Sequence, residues 1–242
     1  KVISAVNDPN TYLGPGTGYR VTEERRQQLN AIRDVLDQKE VLRSEAMHER
    51  EEARRIRYRS RGVALSGTAP GDIVIGISPA YGLQLFQTTA ELNLSDVLAA
   101  LIRGVKAGGG KPRVLRMHHT ADTSFIGLTA AELSGSGYGI GIQAKGTAVI
   151  HARGRMPHNN LELFSNAPIT TLDHYESMGR NAALWAHGTP PEPVIVPTDG
   201  QALGARFHTE VALIHAIETS LTEPGRAPQE VQVSFADTGG EP

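Results

Sequence analysis

The sequence predicts an α/β fold: a three-layer α/β/α domain with a mixed, mostly parallel sheet, preceded by a charged helical linker. Two observations predict the domain. Residues 72–78 are an apolar run of buried-strand length that Pro79 ends. Residues 95–107 then place apolar side chains at helical spacing, before three consecutive glycines. A third observation predicts the linker, because residues 22–61 hold 11 Lys or Arg and 9 Asp or Glu.

Strand-like and helix-like segments alternate through the rest of the domain, as is typical of this class. Ser95 is the expected N-cap of the first helix. The other expected elements are strands at 112–117 and 124–128, a helical turn at 130–133, a strand within 134–151, helices at 171–187 and 210–219, and a last strand at 229–235.

The charged segment favours a solvated helix. Thr22 can cap it, and the arginines of residues 54–61 suit a helix C-terminus. A partner-binding or basic nucleic-acid helix is the alternative, but charges of both signs are mixed and aromatic residues are scarce. The chain therefore divides into four expected segments: an N-terminal piece (1–21), the linker (22–71), the domain (72–237) and a disordered tail (238–242).

Residues 134–151 contain four alternating glycines, at positions 135, 137, 139 and 141. Side chains on a strand alternate between its faces, so this run would leave one face bare. Glycine weakens a strand, and close approach of a ligand or another backbone is the usual reason for it. We therefore expect a platform for something large and flat.

Composition excludes several chemistries. The chain has no cysteine, which rules out disulfides, thiolate catalysis and cysteine-ligated zinc. Its net charge of −2 gives no reason to expect nucleic acid or an anionic membrane as a partner. The sequence has no apolar run of membrane-spanning length and opens with no signal-peptide pattern.

The motifs of common active sites are also missing. Gly135-Ser136-Gly137 lacks the spacing of a nucleophile elbow, and the glycine run does not match the GxGxxG dinucleotide fingerprint. The His118-His119 pair cannot place both rings on one face of a strand. We therefore expect no metal site and interpret each histidine as an ordinary surface or packed residue.

Two charged residues stand out by position. Asp122 follows a predicted strand, on the side where open α/β sheets bind ligands, and Lys145 stands where the glycine run ends. A carboxylate accepts hydrogen bonds from amide N–H groups, and an ammonium donates to amide carbonyls or to a phosphate. The pair suits a ligand that is fringed with amides and carries a phosphate. A capping aspartate and an ordinary exposed lysine would explain the same residues.

Longer motifs carry a family resemblance. The segments LSGSGYGIGIQAKGTAVIH (133–151), NLELF (160–164) and GRNAALWA (179–186) closely resemble the medium subunit of adenosylcobalamin-dependent diol/glycerol dehydratases. Residues 1–20, with SAVNDPNTY and GPGTGYR, resemble the end of the large subunit of the same enzymes. The chain is thus identified as the C-terminal part of a large–medium fusion, with the charged helix as its linker.

This resemblance implies an enzyme that converts 1,2-diols or glycerol to aldehydes plus water by radical chemistry. Its adenosylcobalamin is bound base-on between the large and medium subunits, and the base-off signature DHxxG is absent, since Ser177 follows Asp173-His174 where glycine would be required. Expected partners are the large-subunit barrel, a small subunit, a second heteromer in a dimer and a reactivating factor. The expected location is the cytoplasm, inside a bacterial microcompartment there. Substrate and metal belong to the barrel, so no catalytic residue is expected in this chain.

The resemblance also implies cofactor contacts, carried over residue by residue. Asp122 and Lys145 lie in matching motifs, and Pro157 and Asn160 match positions on the side of the nucleotide loop. A further family arginine aligns with Gly204, and Arg206, two residues on, is the expected substitute.

Two other functions stay open. The small subunit of the dehydratase-reactivating factor, which acts as a chaperone, resembles the medium subunit, but the large-subunit-like residues 1–20 argue against it. A module that targets a microcompartment shell would depend on the charged helix of residues 22–61.

Overall fold

The computed structural model describes residues 56–164, 169–196 and 205–235, with the backbone alone for 205–209. These residues form strands and helices in this order: β1 (Arg57–Val63), β2 (Asp72–Ile77), α1 (Leu94–Ala107), β3 (Lys111–Arg116), α2 (Thr123–Leu133), β4 (Tyr138–Ile142), β5 (Ala148–Ala152), β6 (Glu162–Phe164), α3 (Leu172–Ala186), α4 (Ala205–Ser220) and β7 (Gln229–Ser234).

The strands form one seven-stranded sheet in the order β1-β7-β3-β2-β4-β5-β6. Strand β2 pairs in parallel with β3 and with β4, and the other four pairings are antiparallel. The predicted α/β class and mixed sheet are confirmed. The sheet is not mostly parallel, because short connections such as the turn at 143–147 can join only antiparallel neighbours.

Helices cover both faces of the sheet, which confirms the three layers. Ile73, Ile75 and Ile77 of β2 belong to a core shared with helices α1 and α3. Val74 points to the opposite face and packs in a second cluster with Ile126 of α2. The alternation of side chains along β2 thus separates the two cores.

The bare glycine face is covered by the chain's own helix α2. A Cβ atom on Gly139 would lie 2.4 Å from the backbone nitrogen of Ala131, and a Cβ on Gly141 would lie 2.4 Å from that of Gly127. The expectation of a platform for a flat ligand is therefore wrong for Gly139 and Gly141, because helix α2 covers both of them. Their missing side chains let a helix, not a ligand, approach the strand.

Three local predictions are corrected by the structure. Residues 124–128 belong to helix α2, not to a strand, because Asp122 caps a helix there. The N-cap of α1 is Asn93, not Ser95. Residues 57–61 are part of strand β1, not the end of a charged helix. Residues 22–55 of the predicted linker and the tail from 236 lie outside the described residues.

Candidate functional site

The carboxyl ends of the parallel strands β2, β3 and β4 meet at one edge of the sheet. This is the edge where open α/β sheets bind ligands. The loop after β3 carries Asp122, and the turn after β4 carries Lys145. Buried Gln143 connects the two segments, because its Nε2 donates to the carbonyl of Ala121. The structure therefore brings Asp122 and Lys145 into one neighbourhood.

Asp122 is the N-cap of helix α2. Its Oδ1 accepts hydrogen bonds from the backbone N–H groups of Ser124 (2.8 Å) and Phe125 (3.3 Å), which have no partner within the helix. Its own N–H donates to Oγ1 of Thr120 at 3.0 Å. The carboxylate is thus a capping group, and these bonds fix its place at the sheet edge.

Lys145 is half-buried in the β4–β5 turn. Its carbonyl accepts hydrogen bonds from the backbone N–H (3.1 Å) and from Oγ1 (3.0 Å) of Thr89. Burial lowers the pKa of the Lys145 ammonium, and the nearby carboxylate of Asp122 acts in the opposite direction. Lys145 is therefore not an ordinary exposed lysine, and its charge interacts with that of Asp122.

Asn160 joins this neighbourhood from the loop between β5 and β6. Its Nδ2 donates to Oγ of Ser124 at 3.3 Å, in the first turn that Asp122 caps. Its Oδ1 is buried and has no hydrogen-bond partner among the described residues. Pro157 lies in the same loop, and its carbonyl accepts from Nε2 of His151 at 3.0 Å. The ring of His158 packs edge-on against that of Phe125, so the loop is held against α2.

Helix α4 supplies two residues that the sequence interpretation missed. Glu218 accepts a hydrogen bond from the N–H of Ala144 at 2.9 Å, directly before Lys145. One turn earlier, burial lowers the pKa of His215, and the nearby Lys145 lowers it further, while Asp122 raises it. The sequence does hold one signal for Glu218, because its carboxylate stands beside the apolar residues Ile214 and Ile217 of a predicted helix, and both are buried in the structure.

Arg206 stands in the first turn of α4, where only the backbone is described. Its predicted contact therefore lies outside the described side chains, and Gly204 lies outside the described residues. Asp122, Lys145 and Asn160 are brought together by the structure, and Pro157 lies in the loop that carries Asn160. Together they offer a carboxylate, an ammonium and an unpaired amide oxygen, which suit a polar ligand with donors and acceptors.

Open α/β sheets commonly bind their ligands at the carboxyl edge, where this chain carries the polar groups described above. Residues 78–192 of the chain match the family model described as dehydratase medium subunit. Residues 1–40 match the model described as dehydratase large subunit, and this match runs into the segment predicted as linker. The two matches lie in the order that the predicted large–medium fusion requires, with the large-subunit match before the medium-subunit match.

Among solved structures, the chain is similar to one described as a glycerol dehydratase reactivase. The identity is 18%, the TM-score is 0.41, and the match covers 51% of this chain and 97% of that one. A likeness of this degree decides neither the fold nor the function. Within the described ranges, no helix is both long enough and apolar enough to cross a bilayer.

Proposed function

We propose that this chain is the cobalamin-binding medium-subunit part of a diol or glycerol dehydratase that works with adenosylcobalamin. The observation that carries the proposal is the convergence of Asp122, Lys145 and Asn160 at one edge of the sheet. The two dehydratase family matches support the enzyme class.

The residues at this edge fit the periphery of a cobalamin. Its corrin rim carries primary amides, and its nucleotide loop carries one phosphate. An amide N–H would satisfy the buried Oδ1 of Asn160, and another could donate to the carboxylate of Asp122. The ammonium of Lys145 would donate to the phosphate or to an amide carbonyl.

When bound, adenosylcobalamin supplies the radical that starts dehydration, through cleavage of its cobalt–carbon bond. The residues of this chain bind and orient. Half-burial of Lys145 keeps water from one side of its ammonium, which strengthens each hydrogen bond that it donates. Asp122 holds its orientation because Oδ1 is tied to the first turn of α2.

The test is a cobalamin titration of the assembled dehydratase that contains this chain, with Lys145→Ala against the unsubstituted enzyme. Loss of a charged donor costs about 1.5–3 kcal/mol, so the affinity for cyanocobalamin should fall about 10- to 100-fold. Lys111→Ala, at an exposed lysine that begins β3, is the matched control. Unchanged affinity in Lys145→Ala would remove this lysine from the site.

A second assay separates the enzyme from the reactivating factor. The dehydratase should convert 1,2-propanediol when adenosylcobalamin is added. A reactivating factor would instead release damaged cofactor from another enzyme and form no aldehyde. The match of residues 1–40 to a large subunit favours the enzyme.

The assembly that we propose contains the large-subunit barrel and a small subunit, in a dimer of heteromers that a reactivating factor serves. We place it in the cytoplasm, inside a microcompartment. Native mass spectrometry would give the subunit composition. Deletion of residues 41–55, which follow the large-subunit match, with activity and compartment association measured side by side, would show whether the linker has a targeting role.

A further inference from the structure

The turn at residues 78–81, which follows β2, is held from its carbonyl side by a buried arginine. Arg116, at the end of β3, is 3% exposed. Its Nη1 donates to the carbonyls of Ser78 (3.1 Å) and Pro79 (2.8 Å), and its Nη2 donates to that of Tyr81 (3.0 Å). Its Cζ lies 4.4 Å from the ring centre of Tyr58 on β1, which gives the guanidinium a cation–π contact.

The same turn is held from its N–H side by a buried carboxylate. Glu218 of α4 is 1% exposed. Its Oε2 accepts the N–H of Ala80 at 2.9 Å, and its Oε1 accepts the hydroxyl of Ser78. Oε1 also accepts the N–H of Ala144 at 2.9 Å, so one carboxylate joins the turn after β2 to the residue before Lys145.

Both charges are buried at a cost. Burial lowers the pKa of the Arg116 guanidinium and raises that of the Glu218 carboxyl, while the three hydrogen bonds to Glu218 and the charge of Arg116 act against this rise. Buried charges are weak evidence for stability, because desolvation can exceed the attraction between them. The hydrogen bonds of both side chains to the two turns point instead to the geometry that they enforce.

We propose that Arg116 and Glu218 are positioning residues for the Asp122–Lys145 site. Arg116 fixes three carbonyls of the turn at 78–81. Glu218 fixes the N–H of Ala80 and the hydroxyl of Ser78 in that turn, together with the N–H of Ala144. Lys145 follows Ala144, so the hydrogen bond to Ala144 also fixes the backbone from which the Lys145 ammonium extends. The inference depends on the proposed function, because it needs a ligand whose affinity depends on the position of the Lys145 ammonium.

The chain offers a matched control for the burial of a carboxylate. Asp72 begins β2, at the opposite edge of the sheet, and is 4% exposed. Its Oδ2 accepts the N–H of Gly135 at 3.0 Å and is paired with Arg113 at 2.9 Å. Asp72→Asn therefore disturbs a buried, hydrogen-bonded carboxylate of the same domain without touching the turns that hold Lys145.

The experiment compares Glu218→Gln, Arg116→Lys and Asp72→Asn in the assembled dehydratase, with cyanocobalamin affinity and thermal unfolding as separate readouts. The new amide N–H₂ in Glu218→Gln must face an N–H or hydroxyl donor. We expect about 10-fold weaker affinity in Glu218→Gln and about 3- to 10-fold in Arg116→Lys. Asp72→Asn should lower the melting temperature but keep the affinity within about 2-fold of the unsubstituted enzyme.

A double variant tests whether Glu218 acts through Lys145. With Lys145→Ala already present, Glu218→Gln should weaken affinity by no more than about 2-fold further. Equal affinity losses in Glu218→Gln and Asp72→Asn would overturn the proposal, and so would full additivity with Lys145→Ala. If Lys145→Ala itself leaves affinity unchanged, the proposed site fails, which is a different result.

Ser78→Ala serves if Glu218→Gln does not fold, because it deletes one bond to the carboxylate and leaves the charge in place. A roughly 3-fold loss of affinity would support the positioning role. Wild-type affinity in a folded Ser78→Ala enzyme would contradict it.

Discussion

Gly141 on β4 and Gly127 on α2 lie against each other with no side chain between them. A Cβ on Gly141 would come within 2.4 Å of the backbone nitrogen of Gly127 and 2.6 Å of the carbonyl oxygen of Thr123. Both neighbours are backbone atoms of one helix, so neither can move alone. The helix that Asp122 caps is thereby seated directly on the strand that leads to Lys145.

Gly141→Ala should destabilise the domain by about 1–3 kcal/mol, because the added methyl group must push helix α2 off the strand. Urea unfolding of the full chain measures this. Gly71→Ala is the control, since a Cβ there meets nothing within 4 Å, and it should change stability by less than about 0.5 kcal/mol. Equal stability of the two variants would contradict the close packing.

Substitutions at Asp122 should separate its capping role from its charge. Asp122→Asn keeps an oxygen for the N–H groups of Ser124 and Phe125, so stability should stay within about 0.5 kcal/mol. Asp122→Ala loses the cap and should cost about 1 kcal/mol. Both should weaken cobalamin binding by about 10-fold in a titration, because each removes the carboxylate. Wild-type affinity in Asp122→Asn would show that the negative charge of Asp122 does not contribute to cobalamin binding.

Asn160→Ala should lower cobalamin affinity without lowering the stability of the ligand-free protein. The buried Oδ1 without a partner is a cost to the ligand-free protein, so its removal should leave stability unchanged or raise it by about 1 kcal/mol. Cobalamin affinity should fall about 5- to 10-fold, since the ligand loses an acceptor. Thermal unfolding without ligand and a cobalamin titration measure the two effects. A variant that loses stability and keeps full affinity would show that Asn160 is only structural.

His119 should make the domain less stable below neutral pH. Burial lowers its pKa in the folded protein, and the adjacent His118 lowers it further. The unfolded chain takes up the proton near pH 6.5, before the folded protein does, so stability is lost as the pH falls below about 6.5. The slope for one histidine is at most about 1.4 kcal/mol per pH unit. Urea unfolding between pH 7.5 and 5.5 should show a smaller loss in His119→Gln than in the unsubstituted chain.

The control for this titration is Gly71→Ala, which removes no titratable group and should keep the pH dependence of the unsubstituted chain. An unchanged slope in His119→Gln would assign the acid sensitivity to other groups.

Most of the fold follows from local patterns in the sequence. The apolar run of β2 and the amphipathic α1 are visible because one repeats at strand spacing and the other at helix spacing. Only the last turn of helix α2, at 130–133, is predicted as helical, because TSFIGLTAAEL is apolar on most sides and shows no clear helical period. Strand β1 was missed because its arginines suited a helix end, although RYRSR alternates as a strand does.

The candidate site was predictable only in part. Asp122 and Lys145 stand out by their place after predicted strands, and the resemblance adds Asn160. Arg116 and Glu218 were missed because their contacts join segments up to 140 residues apart, which no local pattern encodes. The glycine run was interpreted through its spacing alone, and spacing does not tell a helix from a ligand as the neighbour.

Strand β1 pairs with β7 so that Arg57 lies opposite Ser234. The first and last strands of the described residues therefore lie side by side. A domain built this way can exist as a separate subunit or as part of a fusion without a change in its interior. In the fusion that we propose, docking to the large-subunit part would be intramolecular, at an effective concentration on the order of millimolar for a short linker. The ratio of the two parts would then be fixed at one to one.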